Sequence, residues 1–132
     1  MTVRIATCRC GQLEVECAGE PVRVSVCHCL NCQRRSGSSF AAQARFPAEA
    51  VTTRGESIEW VPVPDGGPPM TFHFCPKCGS TGWFQGGVMP ELIAVPVGNF
   101  ADPRFPAPLY SVWEQRKHEW VTIHAEGLEH YD

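Results

Sequence analysis

No stretch of this sequence approaches the roughly 20 consecutive apolar residues that a membrane-spanning helix needs. The first residues, Met1-Thr2-Val3-Arg4-Ile5-Ala6-Thr7-Cys8, contain no apolar run of the kind that directs secretion, so they read as part of the mature domain. Basic clusters are scarce as well. Arg34-Arg35 and Arg116-Lys117 are isolated pairs, and the formal net charge is -3. A nucleic-acid surface requires a basic face to meet phosphates, and this composition does not supply one. There is no internal repeat, no heptad and no amphipathic helix longer than about two turns. A Ser-His-Asp order, a phosphate loop and a paired-carboxylate site are all missing. What remains is a small chain with few helices and no classical hydrolytic or nucleotide machinery.

What the sequence does have is turn-forming residues and cysteine. Twelve glycines, twelve prolines and eight cysteines in 132 residues favour short strands and tight turns. The length fits a single domain over residues 1–132. With no secretion signal, eight cysteines point to metal rather than disulfides, because reducing compartments keep thiols free. A cytoplasmic location is therefore expected.

Alternation predicts the strands. Leu13, Val15 and Cys17 point one way and Glu14 and Glu16 the other; Val22, Val24 and Val26 alternate with Arg23 and Ser25 and run into Cys27. Residues 30–37 suit a knuckle with one helical turn ending at Gly37. Phe40, Ala42, Ala44 and Phe46 alternate up to Pro47, and residues 57–61, 71–74, 92–97, 109–113 and 120–123 read as further short strands. Residues 62–69, with four prolines and two glycines, read as a loop. The four tryptophans are expected in the core or in pocket walls.

The cysteines fall into three groups: Cys8-x-Cys10-Gly11, Cys27-His28-Cys29-x-x-Cys32 and Cys75-Pro76-Lys77-Cys78-Gly79. In extended backbone, residues i and i+2 share a face, so Cys8 can face the same ion as Cys10, and Cys27 the same ion as Cys29. A C-x-x-C turn folds two thiolates about one ion, and Gly11 and Gly79 permit the tight backbone that follows. Zinc takes four such ligands in a tetrahedron. Seven cysteines divide naturally into four and three, giving two zinc ions per chain, of which the three-ligand one is the more labile. Spacing alone leaves open which half-sites combine, since the central triplet can also pair with Cys75 or Cys78. Cys17 stands apart and reads as a buried thiol packing as a small apolar group. His28 faces away from its flanking cysteines and His73 shares a phase with Cys75.

Taken in order, these motifs resemble the glutathione-dependent formaldehyde-activating enzyme (Gfa) family, which includes centromere protein V. The likeness runs from Cys8-Arg9-Cys10-Gly11 through the Cys27–Phe40 segment to Phe74-Cys75-Pro76-Lys77-Cys78-Gly79-Ser80, then through Gly98–Pro103 to Val112-Trp113, Lys117 and Trp120. Ala6 and Phe72 stand where the family usually has Gly and Arg. The resemblance implies a mainly β, Mss4-like arrangement of several small coiled antiparallel sheets tied by zinc, with little helix. It also implies a structural zinc on Cys8, Cys10, Cys75 and Cys78 and a second, open zinc on Cys27, Cys29 and Cys32. The activity it implies is that of a carbon–sulfur lyase or synthase acting on a glutathione-type thiol adduct of an aldehyde such as formaldehyde. On that reading Gln33, Arg34, Ser36 and Ser38 are substrate contacts, with Arg34 or Arg35 steering a carboxylate of the thiol carrier; the partner is a small thiol or thiol adduct, and neither nucleic acid nor membrane is involved. The alternative is a non-catalytic zinc-binding interaction module of the same fold.

Overall fold

The computed structural model of the chain describes residues 1–64 and 66–132. Its strands, in chain order, are β1 (Val3–Thr7), β2 (Glu14–Ala18), β3 (Arg23–Cys27), β4 (Ala41–Pro47), β5 (Val51–Arg54), β6 (Ile58–Trp60), β7 (Met70–Phe74), β8 (Thr81–Gly86), β9 (Leu92–Pro96), β10 (Tyr110–Val112) and β11 (Glu129–His130). A single α-helix among the described residues, α1 (Leu30–Ser36), follows β3. The mainly β expectation holds. The strands gather into a three-stranded sheet, β1-β2-β5, and an eight-stranded sheet, β11-β10-β3-β4-β9-β8-β7-β6. Every pairing is antiparallel except those of β10, which runs parallel to β3 and to β11. Parallel neighbours need a long connection: β3 reaches β10 only through residues 28–109, and β10 reaches β11 through residues 113–128.

Alternation on β2 is as expected: Leu13, Val15 and Cys17 are buried while Glu14 and Glu16 are half-buried. The main core lies between the two sheets. Ala6, Val15 and Cys17 of the small sheet meet Val24, Ala44, Phe46, Ile93 and Val95 of the large one, closed by Phe100 and Phe105. Cys17 is fully buried there, and burial pushes its thiol up to about 12, so it packs as a neutral apolar group. On β3 the expected alternation breaks down. Val22 precedes the strand and is exposed, and Ser25 is 2% exposed because β3 lies inside the sheet and both of its faces are covered there.

Other differences are physical as well. β1, β5 and β8 lack a clear two-residue alternation or are too short to show one, and their strand character comes from pairing. Residues 120–123 do not form a strand; edge pairing is taken instead by Glu129–His130, with Glu129 N donating to Leu109 O and the following Tyr131 N to Ser111 O. Over residues 62–69 the described positions carry no strand or helix, and Asp65 in that predicted loop lies outside them. The helix is longer than one turn. It starts at Cys29, whose side chain accepts a hydrogen bond from Cys32 N, and stops at Gly37, which takes the left-handed φ of 69° that closes a C-terminus. No helix among the described residues is long and apolar enough to cross a membrane.

One glycine bears on the site. Gly55 has φ +98°, and a Cβ built there would collide with the Gln12 carbonyl oxygen. The approach lets the Gln12 side chain bridge to Glu56, donating to its carbonyl at 2.7 Å and accepting from its N–H at 2.9 Å. We expect Gly55→Ala to cost more than about 2 kcal/mol, since left-handed strain and a backbone clash act together. Urea denaturation of the metal-loaded protein checks this, and a loss under about 0.5 kcal/mol would contradict it.

Candidate metal centres

Two hairpin turns bring the first cluster together. The β1–β2 turn carries Cys8 and Cys10; the β7–β8 turn carries Cys75 and Cys78. Each is a knuckle held by its own backbone. Gly11 N donates to Cys8 O at 3.1 Å and Gly79 N to Cys75 O at 2.8 Å, with both glycines at positive φ. The four sulfurs lie within 4.8 Å of one another, with Cys8 Sγ to Cys10 Sγ at 3.6 Å and Cys10 Sγ to Cys75 Sγ at 3.7 Å. Tetrahedral sulfur ligands at about 2.3 Å from zinc stand about 3.8 Å apart. The spacing therefore fits a thiolate-bound ion, and it is far beyond the roughly 2.05 Å of a disulfide; all eight cysteines are free.

Donors already surround these sulfurs. Leu13 N reaches Cys8 Sγ at 3.3 Å, Lys77 N reaches Cys75 Sγ at 3.4 Å, and Gln12 Nε2 reaches the same sulfur at 3.0 Å. Ser80 Oγ lies 3.3 Å from Cys78 Sγ and is the main cause pulling that thiol down to about 5. Such bonds stabilise negative sulfur and orient the ligands. Cys8, Leu13 and Cys75 also form a small buried cluster of their own, against which Cys78 packs. Gln12 and Ser80 were not singled out from the sequence. Their one signal is position, immediately beside a knuckle glycine.

The second cluster joins Cys27, at the end of β3, to Cys29 and Cys32 at the start of α1. Their sulfurs also lie within 4.8 Å of one another, and no fourth His, Cys, Asp or Glu joins them among the described residues. Cys27 is buried, whereas Cys29 and Cys32 are partly open. The neighbouring Cys29 and Cys32 thiols push Cys27 up, while Cys27 and Cys32 pull Cys29 down, so negative charge on this cluster gathers first at Cys29. Each cluster can thus hold a metal ion. The partition into four and three, left open by spacing, is the one the structure brings together.

His28 faces away from the triplet, as the i, i+2 rule requires. It is fully buried, its N–H donates to Val112 O at 3.0 Å, and its Nε2 lies 3.0 Å from Ser111 Oγ. Ser111 Oγ donates to Glu114 Oε2 at 2.6 Å, and His130 Nδ1 lies 2.7 Å from the same oxygen. Burial pushes the Glu114 carboxyl up, but its bonds to Ser111 and His130 outweigh that and hold it below its ordinary range. The chain from His28 to His130 pins the cysteine loop to the C-terminal strands. His73 stacks on Trp83, ring centroids 3.5 Å apart, as a strand position would.

The polar residues after the triplet separate by role. Gln33, Arg34 and Ser38 line an open cleft of about 620 Å³ with Gly37, Ser39, His118 and Trp120. The Gln33 amide is committed: Nε2 donates to His28 O at 2.7 Å and Arg116 O at 3.1 Å, and Oε1 lies 2.9 Å from His118 Nε2. It braces α1 against the C-terminal segment. Ser36 Oγ accepts from Ser38 N at 3.1 Å, inside the turn that ends the helix. Arg34 is exposed and its guanidinium makes no hydrogen bond or ion pair among the described residues, and the Ser38 hydroxyl accepts from Phe40 N at 3.4 Å. Trp120 is a cleft wall and 75% exposed, not core, whereas Trp60 and Trp113 are about half exposed.

Residues 3–116 match the family model described as glutathione-dependent formaldehyde-activating enzyme. A solved crystal structure of a Rhodobacter sphaeroides protein, a structural-genomics target, is similar in fold with a TM-score of 0.59. It is 24% identical, and the match covers 76% of this chain and 92% of that one. No curated protein sequence matches the chain significantly.

Proposed function

The chain belongs to the glutathione-dependent formaldehyde-activating enzyme family, and from that premise we propose that it is a zinc-dependent carbon–sulfur lyase or synthase. Its substrate is a glutathione-type thiol, or that thiol's adduct with an aldehyde such as formaldehyde. Cys8, Cys10, Cys75 and Cys78 hold a structural zinc, and Cys27, Cys29 and Cys32 hold the second ion. The carrying observation is the contrast between the clusters: four sulfurs complete one set, whereas three leave a coordination position for a ligand.

Bound at the triplet, zinc supplies the Lewis acidity that lowers a thiol's pKa and provides thiolate at neutral pH. The reaction is redox-neutral. A sulfur lone pair forms the C–S bond at the carbonyl carbon, the C=O π pair moves to oxygen, and that oxygen takes up a proton equivalent to the one the thiol lost. Reversal breaks the same C–S bond. The buried Cys27 and the partly open Cys29 and Cys32 leave one side of the triplet accessible, and Arg34 and Ser38, which follow the triplet in sequence, present polar groups in a cleft that none of the three cysteines lines. Gln33 and Ser36 fix the turn that carries them. Eight free thiols suit a reducing compartment such as the cytoplasm.

Exchange NMR on a mixture of glutathione and formaldehyde tests the reading. Metal-loaded protein should speed interconversion of free thiol and S-hydroxymethyl adduct well above the uncatalysed rate. No acceleration would leave a zinc-held binding module with no chemistry of this kind.

A further inference from the structure

The face of the large sheet that carries Cys27 also carries cations with no carboxylate partner among the described residues. Cross-strand partners share a face, so the register places Trp60, Phe72, Phe84, Ala94, Arg45 and Arg23 in one row across β6, β7, β8, β9, β4 and β3. The next pairs along the same face are Gln43 with Ser25 and then Ala41 with Cys27. The opposite face, with Val24, Ala44 and Phe46, belongs to the core.

Arg45 and Arg23 therefore stand side by side, half-buried. Like charges in register repel, and among the described residues neither has a carboxylate within ion-pair distance. Arg45 Nη1 donates to Ser25 Oγ at 3.3 Å, which aims the guanidinium along β3 toward Cys27. The Cys27 and Cys32 sulfurs are near enough to act on it electrostatically, as Arg23 is. The Arg23 guanidinium lies 4.1 Å over the Tyr110 ring, and its Nε is buried without an acceptor. From α1, Arg35 reaches the same face, 4.8 Å from the Phe84 centroid, and acts on Cys32. Gln43 Oε1, between Arg45 and the triplet, is a buried acceptor without a donor. Three thiolates and one divalent ion carry a formal single negative charge, which three guanidinium groups exceed. Positive charge is left over, with unused donors beside it.

We propose that Arg45 and Arg23, with Arg35, form the carboxylate-binding part of the substrate site, so that the ligand is a thiol bearing a carboxylate a few bonds from its sulfur. The proposal rests on the reading of the triplet as a thiol site. Ser25, to which Arg45 donates, lies two residues from Cys27, or about 7 Å along a strand, which sets that short separation. The aromatic row that leads up to the arginines is open at Trp60, which is 52% exposed, and buried at Phe84 beneath Arg35, so its outer end gives the remainder of a larger thiol an apolar surface. Bidentate guanidinium recognition is specific to planar anions, so a neutral ester should lose it.

Isothermal titration of the zinc-loaded chain with 3-mercaptopropionate, its methyl ester and propionate tests this, alongside the cobalt-substituted protein, whose visible spectrum reports sulfur entering the coordination sphere. The acid should bind about 10- to 100-fold more tightly than the ester. Arg45→Gln should erase that preference and Arg45→Lys restore it partly, both keeping two metals per chain. Equal affinity for acid and ester in the unmodified chain overturns the arginine site even if neither variant folds. A cobalt spectrum indifferent to acid and ester alike overturns the thiol reading instead; the arginine site then stands or falls on whether propionate binds, and binds more weakly to Arg45→Gln.

Discussion

Replacing Cys75 with serine is expected to abolish the cooperative fold. Cys75 is fully buried and its sulfur collects three contacts at once: Gln12 Nε2, Lys77 N and Cys10 Sγ. Through it the β7–β8 hairpin of the large sheet is clipped to the β1–β2 hairpin of the small one. Little else fastens these two turns. Arg9 N bonds Ser80 Oγ at 3.1 Å, and the apolar contact there is confined to Leu13 and the cysteines themselves. A structural zinc site contributes about 10–16 kcal/mol of apparent binding free energy, against a total stability of about 5–15 kcal/mol for a domain. Serine is a poor zinc ligand and its oxygen is too small for the cavity the sulfur fills. Loss of this site is therefore comparable to the whole margin. Circular dichroism should show no cooperative thermal transition, or one lowered by more than about 20 °C, and metal analysis should show the four-thiol ion gone. A variant that melts within a few degrees of the original would show that the hairpins hold without metal.

The sequence made the cysteine clusters legible because ligand spacing is local: two residues in a strand, three in a turn, and a glycine just after. The same locality explains the strands that were readable. Glu14–Ala18 alternates because one of its faces is on the core, whereas Ala41–Pro47 was readable from Ala44 and Phe46 on its core face although Ala41 and Gln43 are buried on the other. Ser25 misled the pattern for the converse reason, being buried on the second face of an interior strand. Residues 120–123 are β-branched and aromatic enough to read as a strand, yet the edge of β10 is taken by Glu129–His130. Which segment wins an edge is a matter of long-range pairing, not of propensity. The arginine row was invisible for a related reason. Arg23 and Arg45 are far apart in sequence, and only the register of β3 on β4 sets them side by side. Gln33 carried the opposite lesson: polar and next to the triplet, it looked like a ligand contact, but both ends of its amide are occupied by the chain itself.

Cys29→Ser should separate chemistry from folding, where Cys75→Ser cannot. Cys29 is the N-cap of α1, and its sulfur accepts from Cys32 N at 3.3 Å. Serine is among the best N-cap residues, so the replacement keeps that bond and the helix start. The triplet ties residues only five apart in sequence, from Cys27 to Cys32, and the loop between them is held independently by His28 through Val112 and Ser111. Losing its ion therefore removes little of what fastens the sheets. The melting temperature should fall by only a few degrees while the metal content drops from two ions to one. Turnover of the thiol–formaldehyde adduct should fall about 100-fold or more, since a catalytic ion supplies several kcal/mol of transition-state stabilisation and each 1.36 kcal/mol is tenfold in rate. Equal turnover in the variant, with one metal confirmed, would move the chemistry away from the triplet. Undiminished metal content would instead mean that the triplet's ion does not depend on Cys29. The paired variants thus read the two clusters by different observables: the four-thiol site by the melt, the three-thiol site by the rate.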